Sequence, residues 1–333
     1  MQLSNEPAKS SFPFFAPGWR DRFIIRFGTI AGVCVVVLVF SQLSPAFFTS
    51  ANARNILLQS MPLLMLSLAM TIVLIMRAVD LSIAYNADVS ALAVVWLLLN
   101  GHSTPAAILG GLAVGAFIGL VNGCMVVKGV SALVATLGMM FIIRSAQLLT
   151  TGGGTPLMLF TLPKSKTRSF LYLGQGFVAG IPMQVVIGLS ILLLVYIIVY
   201  QTRFGRYMHA IGGNVDVAFL SGIQTKAYLA LGFVLGGFLS ACGGIMNATR
   251  TGMAQPEGSS YLLLDSFVAS YIGSITFYKG KMNILGTVVG VFFVSILSNG
   301  VTVLGLGVVY NYILKGCLIF VAVALAKAGT ARE

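Results

Sequence analysis

Long apolar runs, separated by short polar or glycine-rich stretches, recur along almost the whole chain. Crossing the hydrocarbon of a bilayer takes about 20 helical residues, and the runs at 24–40, 56–76, 81–99, 105–127 and 131–149 are of that order. Further runs follow at 183–200, 228–247, 261–277, 284–303 and 308–326. The pattern predicts an all-α integral membrane protein, a polytopic bundle of about ten transmembrane helices. Ten spans leave only short loops, so residues 23–327 are expected to form one transmembrane domain between an N-terminal arm (1–22) and a short tail (328–333). The run at 24–40, followed by Ser44-Pro45-Ala46, resembles a signal peptide, but it exceeds the usual apolar core of about 7–15 residues and is read as the first span. Between 150 and 181, TGGGTP and the cluster Lys164, Lys166, Arg168 exclude another continuous span.

One polar break differs from the rest. Residues 205–223, GRYMHAIGGNVDVAFLSGI, lie between two strongly apolar runs and are flanked by Arg203, Arg206 and Lys226. Ala210, Asn214, Ala218 and Gly222 recur every four residues, which on one helix makes a narrow face of mostly small side chains. Gly212 and Gly213 are expected to interrupt that helix with a turn of positive φ. Spacing alone leaves two readings open, a docking surface and an ordinary glycine-capped loop.

The pattern G-R-(x)3-A-x-G-x-N-(x)3-A-x-x-S-G-I resembles the coupling loop of the membrane subunits of ATP-binding-cassette (ABC) sugar importers, the ribose-type permease family. MRAVDLSI at 76–83 resembles that family's GGIDLS element, with Met76, Arg77 and Ala78 departing from it. LSNGVTVLGLGVVYNYILKG at 297–316 resembles its late LSNGL…KG segment. The resemblance implies a permease subunit of the bacterial inner membrane that forms the pathway for a monosaccharide, a ribose-like pentose or a hexose. Autoinducer-2-like small polyols are the runner-up solute. It also implies three partners: a cassette ATPase inside, a periplasmic sugar-binding protein outside, and a second permease copy or related permease. On this reading the ATPase docks on a coupling loop at about 201–226 through Gly205, Arg206, Ala210, Gly212, Gly213, Asn214, Ala218, Ser221 and Gly222.

Composition agrees with the membrane reading, since 58% of residues are hydrophobic and 8% charged, too little polar surface to coat a soluble globule. A net charge of +12 raises the question of nucleic acid. The charges argue against it, because they fall in small groups between apolar runs without a basic stripe or interleaved aromatics. With the N-terminus inside, thirteen of the twenty Lys and Arg residues fall on the cytoplasmic side. Arg54, Lys164, Lys166, Arg168 and Arg250 fall outside, and Arg144 and Lys315 lie within spans. That bias predicts both termini in the cytoplasm.

Chemistry of the catalytic kind is not visible. There is no G-x-x-x-x-G-K-[ST] phosphate loop, and Gly152-Gly153-Gly154 runs into Thr155-Pro156 without a lysine. The chain is therefore expected to be a transport subunit and not an enzyme, without a cofactor of its own, ATP and magnesium being held by the partner. No metal site is expected from His102, His209 or the four cysteines, which read as inert apolar residues. An ionisable group facing lipid costs about 2.5–3.5 kcal/mol, so the buried polar positions Asn86, Asp88, Asn122, Asn247, Asp265 and Asn299 are the candidates for lining a solute path. Each could instead bond neighbouring helices. Glycines at 110, 111, 115 and 119, and the pairs 236–237 and 243–244, predict close helix packing. The alternative to an importer subunit is a secondary transporter or channel, which needs no ATPase but usually carries charge relays or inverted repeats.

Overall fold

The computed structural model describes residues 19–277, 281–307, 309–317 and 320. The tail, most of the N-terminal arm, Lys279 and the far part of the run at 308–326 lie outside the described residues. Twelve α-helices follow in order, beginning with α1 (Trp19–Leu43), α2 (Ser50–Ile75), α3 (Ile83–Leu99), α4 (Thr104–Val127) and α5 (Ala132–Thr150). Next come α6 (Lys164–Gln175), α7 (Met183–Gln201), α8 (Arg203–Gly213) and α9 (Val215–Leu220). The series closes with α10 (Thr225–Thr251), α11 (Tyr261–Ile275) and α12 (Ile284–Val303), after which residues 309–317 are helical. Helices α2, α4, α5, α7, α10 and α12 are long and apolar enough to cross a membrane, so this is a multi-pass membrane protein. Only four two-residue strands occur among the described residues, in two antiparallel pairs.

Helix α2 is the centre of the bundle. Its positions from Ser60 to Ile75 are all buried, and 78% of its apolar window is inside, against 17% for α5. It packs against α10, α11, α12 and α7. A helix that is apolar on every side suits a protein interior as well as lipid, and here protein surrounds it. The few polar groups it carries are spent across helices: Thr71 Oγ1 lies 3.0 Å from Ser270 Oγ on α11 and 2.7 Å from Thr287 Oγ1 on α12.

The glycines of α4 and α10 do as their spacing predicts. The α4–α10 pair is the most extensive helix contact. A methyl on Gly119 would overlap the Phe233 carbonyl, one on Gly237 the Gly115 carbonyl, and one on Gly244 the Ala87 carbonyl of α3. Backbone therefore rests on backbone at both crossings. Gly243 fits against Leu66 and Pro62 of α2 in the same way.

Helix α3 is continuous past Asn86, and most of its residues on both sides are buried, because α2, α4, α5 and α10 enclose it. The segment 150–181 is not a plain loop: α6 lies across the end of α10, with Gly174 against the Thr249–Arg250 backbone, and β1 (Leu157–Met158) pairs with β4 (Met253–Ala254). Of the cysteines, only Cys242 is buried, while Cys34, Cys124 and Cys317 are exposed on an apolar surface suited to lipid.

The crossings can be tested directly. Gly244→Ala should lower the melting temperature of the detergent-purified protein and reduce its yield, because overpacking costs about 1–3 kcal/mol. Gly138→Ala, with open space around it, should leave both unchanged, and equal behaviour of the two variants would reject the backbone-contact account.

Candidate functional site

The polar break at 205–223 folds as two helices and not one. Helix α8 is continuous through Gly212 and Gly213, which are helical, so the expected positive-φ turn is not there. The interruption comes from Asn214, whose extended backbone ends α8 while its Oδ1 accepts from the amides of Asp216 and Val217 and caps α9. The positive φ falls at Gly222, which ends α9. The four-residue face is consequently divided: Ala210, Asn214 and Gly222 are exposed, and Ala218 is buried.

Helix α8 holds itself to the bundle through Gly205, Met208 and Ile211, one turn apart, and leaves Arg206, His209 and Ala210 outward. Gly205 seats against the Val199 carbonyl and Gly212 against the Ile75 carbonyl at the end of α2, so neither has room for a side chain. Gly213 and Gly222 meet nothing within 4 Å. Helix α9 presents Val215, Val217, Phe219 and Leu220 outward, with Leu220 83% exposed. The outward surface therefore carries large apolar residues, beside the exposed Ser221 and Gly222, where sequence spacing suggests only small ones.

Beside the Gly212 contact, α2 gives way to α3 through the turn 76–82. Arg77 turns the chain with φ +58° and is exposed. Asp80 is buried and accepts from the Ser82 amide (2.8 Å) and hydroxyl (2.6 Å). Asn122 of α4 donates to Ser82 Oγ (2.8 Å), and the Leu81 amide donates to Thr136 Oγ1 of α5. Asp80 thus fixes Ser82 within the turn, and the turn, through Ser82 and Leu81, ties the α2–α3 junction to α4 and α5. Sequence reasoning passed over it, although its place within the D-L-S motif was the available signal.

At the opposite end lies a cleft of about 270 Å³ between α2, α10, α11 and α12. Gln59, Asn247, Arg250, Tyr261, Asp265 and Ser295 supply its polar wall, and Pro62 and Leu63 part of its apolar one. Pro62 sits inside α2 and lacks an amide hydrogen, which deprives the Leu58 carbonyl of its helical donor. Asn247 also lines a smaller adjoining cavity with Asp88, Gln255 and Ser259. Asp88 Oδ2 accepts from the Ser259 amide (3.1 Å), and the Gln147 side chain joins the Tyr85 carbonyl to the Glu257 amide. Arg144 pairs with Glu257, so the loop after β4 is tied to α3 and α5.

Asp265 has a partner that its own segment does not show. Lys315, from the helical segment 309–317, places Nζ 2.8 and 2.9 Å from the two Asp265 carboxylate oxygens. Both side chains are at most 10% exposed. Lys315 is the one buried residue described in that segment, so this ion pair is its main hold on the bundle.

The six candidate path residues divide accordingly. Asn247 and Asp265 meet in the cleft, and Asp88 faces the adjoining cavity. Asn86 donates to the Gly115 and Gly237 carbonyls where α3, α4 and α10 meet. Asn122 binds Ser82, and Asn299 exchanges two hydrogen bonds with Asn52 of α2. Those three act as helix clamps. The cleft offers amides, hydroxyls, a phenol and a guanidinium around one neutralised carboxylate, which suits hydrogen bonding to a neutral polyhydroxy solute.

The geometry is that of a transport subunit, a helical bundle with a polar cleft at one end and an outward helical hairpin at the other. The chain belongs to the family described as "Branched-chain amino acid transport system / permease component", which matches residues 52–323. It is similar to the ribose import permease protein RbsC of Escherichia coli (strain K12), 32% identical over 93% of this chain and 95% of that one. RbsC of Bacillus subtilis (strain 168) is 30% identical over 93% and 95%. The D-allose transport system permease protein AlsC of Escherichia coli (strain K12) is 28% identical over 91% of each. No solved structure matches the chain. The protein is thus a membrane permease subunit of the ABC-importer kind, a transport component and not an enzyme.

Breaking a buried pair strands a charge and costs about 3–5 kcal/mol, whereas removing both charges is often nearly neutral. Asp265→Asn and Lys315→Met should therefore each lower the melting temperature markedly, and the double variant should recover most of the loss. Additive losses in the double variant would reject the pair as seen.

Proposed function

We propose that this permease subunit carries a monosaccharide across the bacterial inner membrane through the cleft at Asn247 and Asp265, energised by a separate cassette ATPase docked on α8 and α9. The observation that carries the proposal is similarity over nearly the whole chain to permeases whose names specify ribose, D-allose, galactose/methyl galactoside and L-arabinose. All of these are neutral and rich in hydroxyls, as the cleft requires. In this reading the chain spans the membrane ten times with both termini in the cytoplasm. The clustering supports it: Arg54 stacks over Phe177 and Gln175 bonds the Arg250 carbonyl, which gathers residues expected outside at one end.

A periplasmic binding protein would deliver the sugar above the cleft, and two permease copies, related by the usual closed two-fold symmetry, would enclose one path. ATP and magnesium would sit on the ATPase. Gly213 and Gly222 are open at the outward surface, and the apolar residues of α9 need a cover, so the ATPase footprint is centred there. A secondary transporter is less well supported, because the two acids that the sequence singles out within spans are both engaged, Asp265 by Lys315 and Asp88 by a backbone amide.

Reconstitution with the cognate binding protein and ATPase tests the transport claim. Uptake of ribose, allose, galactose or arabinose should require ATP, and Asn247→Leu should reduce uptake at least tenfold with an unchanged melting temperature. Uptake driven by an ion gradient without ATP would overturn the importer reading in favour of the secondary transporter.

Docking has its own test. Leu220→Asp and Gly213→Asp, both at exposed positions with helical backbone, should fold normally yet lose co-purification with the ATPase and stimulation of its turnover by at least tenfold. Normal stimulation in both variants would move the docking site elsewhere.

A further inference from the structure

A second cavity, of about 410 Å³, opens where α7, α8 and the start of α12 converge, at the α8 end of the molecule. That is room for roughly a dozen water molecules at about 30 Å³ each. Its rim carries Arg206, His209 and Lys281, all exposed, and among the described residues no acidic one lines it. Helix α12, twenty residues long, begins at Ile284 immediately behind the groove residue Asn283 and adds the positive end of its dipole. The Arg206 guanidinium makes one long hydrogen bond, 3.4 Å to the Gln201 carbonyl, and keeps the rest of its fork available.

What leads into the groove identifies its occupant. Helix α7 exposes Leu189, Leu193, Leu194 and Ile197 along its length, an apolar face suited to acyl chains. That helix ends at Gln201, and its last turn, Val199 and Tyr200, forms the apolar wall of the groove. An acyl chain lying on α7 therefore ends where the cations Arg206 and Lys281 flank His209, whose Nδ1 bonds the Gly205 carbonyl. Basic pockets between transmembrane helices hold anionic headgroups, with about 1 kcal/mol of attraction per Lys or Arg near the surface, and a guanidinium fork matches phosphate oxygens in pairs.

We propose that this groove binds the phosphodiester headgroup of an anionic lipid, held by Arg206, His209 and Lys281. The site is separate from the sugar cleft at the other end of α2, and it shares α8, including Arg206, with the proposed ATPase docking surface. An acidic side chain of a partner or free inorganic phosphate offers similar charge, but neither accounts for the apolar approach along α7.

Native mass measurement of the purified permease alone, after exchange into mixed phosphatidylglycerol and phosphatidylcholine, tests the assignment. Phosphatidylglycerol should be retained preferentially, and a His209→Gln/Lys281→Gln variant should lose at least about fivefold of that retention at an unchanged melting temperature. Lys281→Arg should keep it. Equal retention of the two lipids, or undiminished retention in the double Gln variant, would overturn the proposal. Displacement of the lipid by millimolar inorganic phosphate would also overturn it, by showing that the groove holds a free anion.

Discussion

Close backbone contact between helices is the constraint on which this protein rests. In lipid, apolar side chains gain nothing by leaving their surroundings for each other, so association depends on packing and on interhelical hydrogen bonds averaging about 0.6 kcal/mol each. Gly115, Gly119 and Gly237 bring α4 and α10 together until carbonyls limit the approach, and Gly244 does the same between α10 and α3. Asn86 then reaches the carbonyls of Gly115 and Gly237, which would be out of range across an ordinary helix pair. Packing sets the distance, and the amide secures it.

The same helices join the two ends of the molecule. Helix α2 begins its buried course beside Gln59 and Pro62 at the cleft and ends at Ile75 beneath Gly212 of α8. From Pro62 to Ile75 is about 20 Å at 1.5 Å per residue, through a fully packed interior. Gly212 has no side chain and meets the α2 carbonyl directly. Pro62 lies at the cleft end of α2, and the turn at 76–82 ties α3, α4 and α5 to the Gly212 junction through Ser82 and Leu81.

Charge inside the bundle follows a stricter rule than charge at its ends. Asp80, Asp88 and Asp265 are all buried, and each is met by a donor: a serine, a backbone amide or a lysine. Nearer the surface, the exposed Arg144 is paired with Glu257. By contrast, Arg206 and Lys281 share one groove with His209, and no acidic residue lines it among the described residues. Two cations gathered at the end of an apolar helix are suited to compensation from outside.

Much of this was legible in the order of residues. Apolar runs located the six helices long and apolar enough to cross a membrane, since length and hydropathy are local properties, and glycine spacing on α4 and α10 announced their close crossing. The cost of burying charge singled out Asp88 and Asp265, and the motifs at 76–83, 205–223 and 297–316 pointed to the permease family. Only the folded chain decided who meets whom. Lys315 stands 50 residues from Asp265, and the Ser259 amide 171 residues from Asp88, so no local pattern could pair them. Asn86, Asn122 and Asn299 look like Asn247 in sequence, yet they clamp helices while Asn247 faces a cleft, because exposure depends on neighbours brought from elsewhere. The small-residue face at 210–222 failed for a local reason of another kind: the capping hydrogen bonds of Asn214 outweigh helix continuity. The residues determined which segments are apolar and which groups are costly among them; three-dimensional packing determined which of those groups a neighbouring helix engages and which line a cavity, because a side chain's partners come from distant parts of the chain.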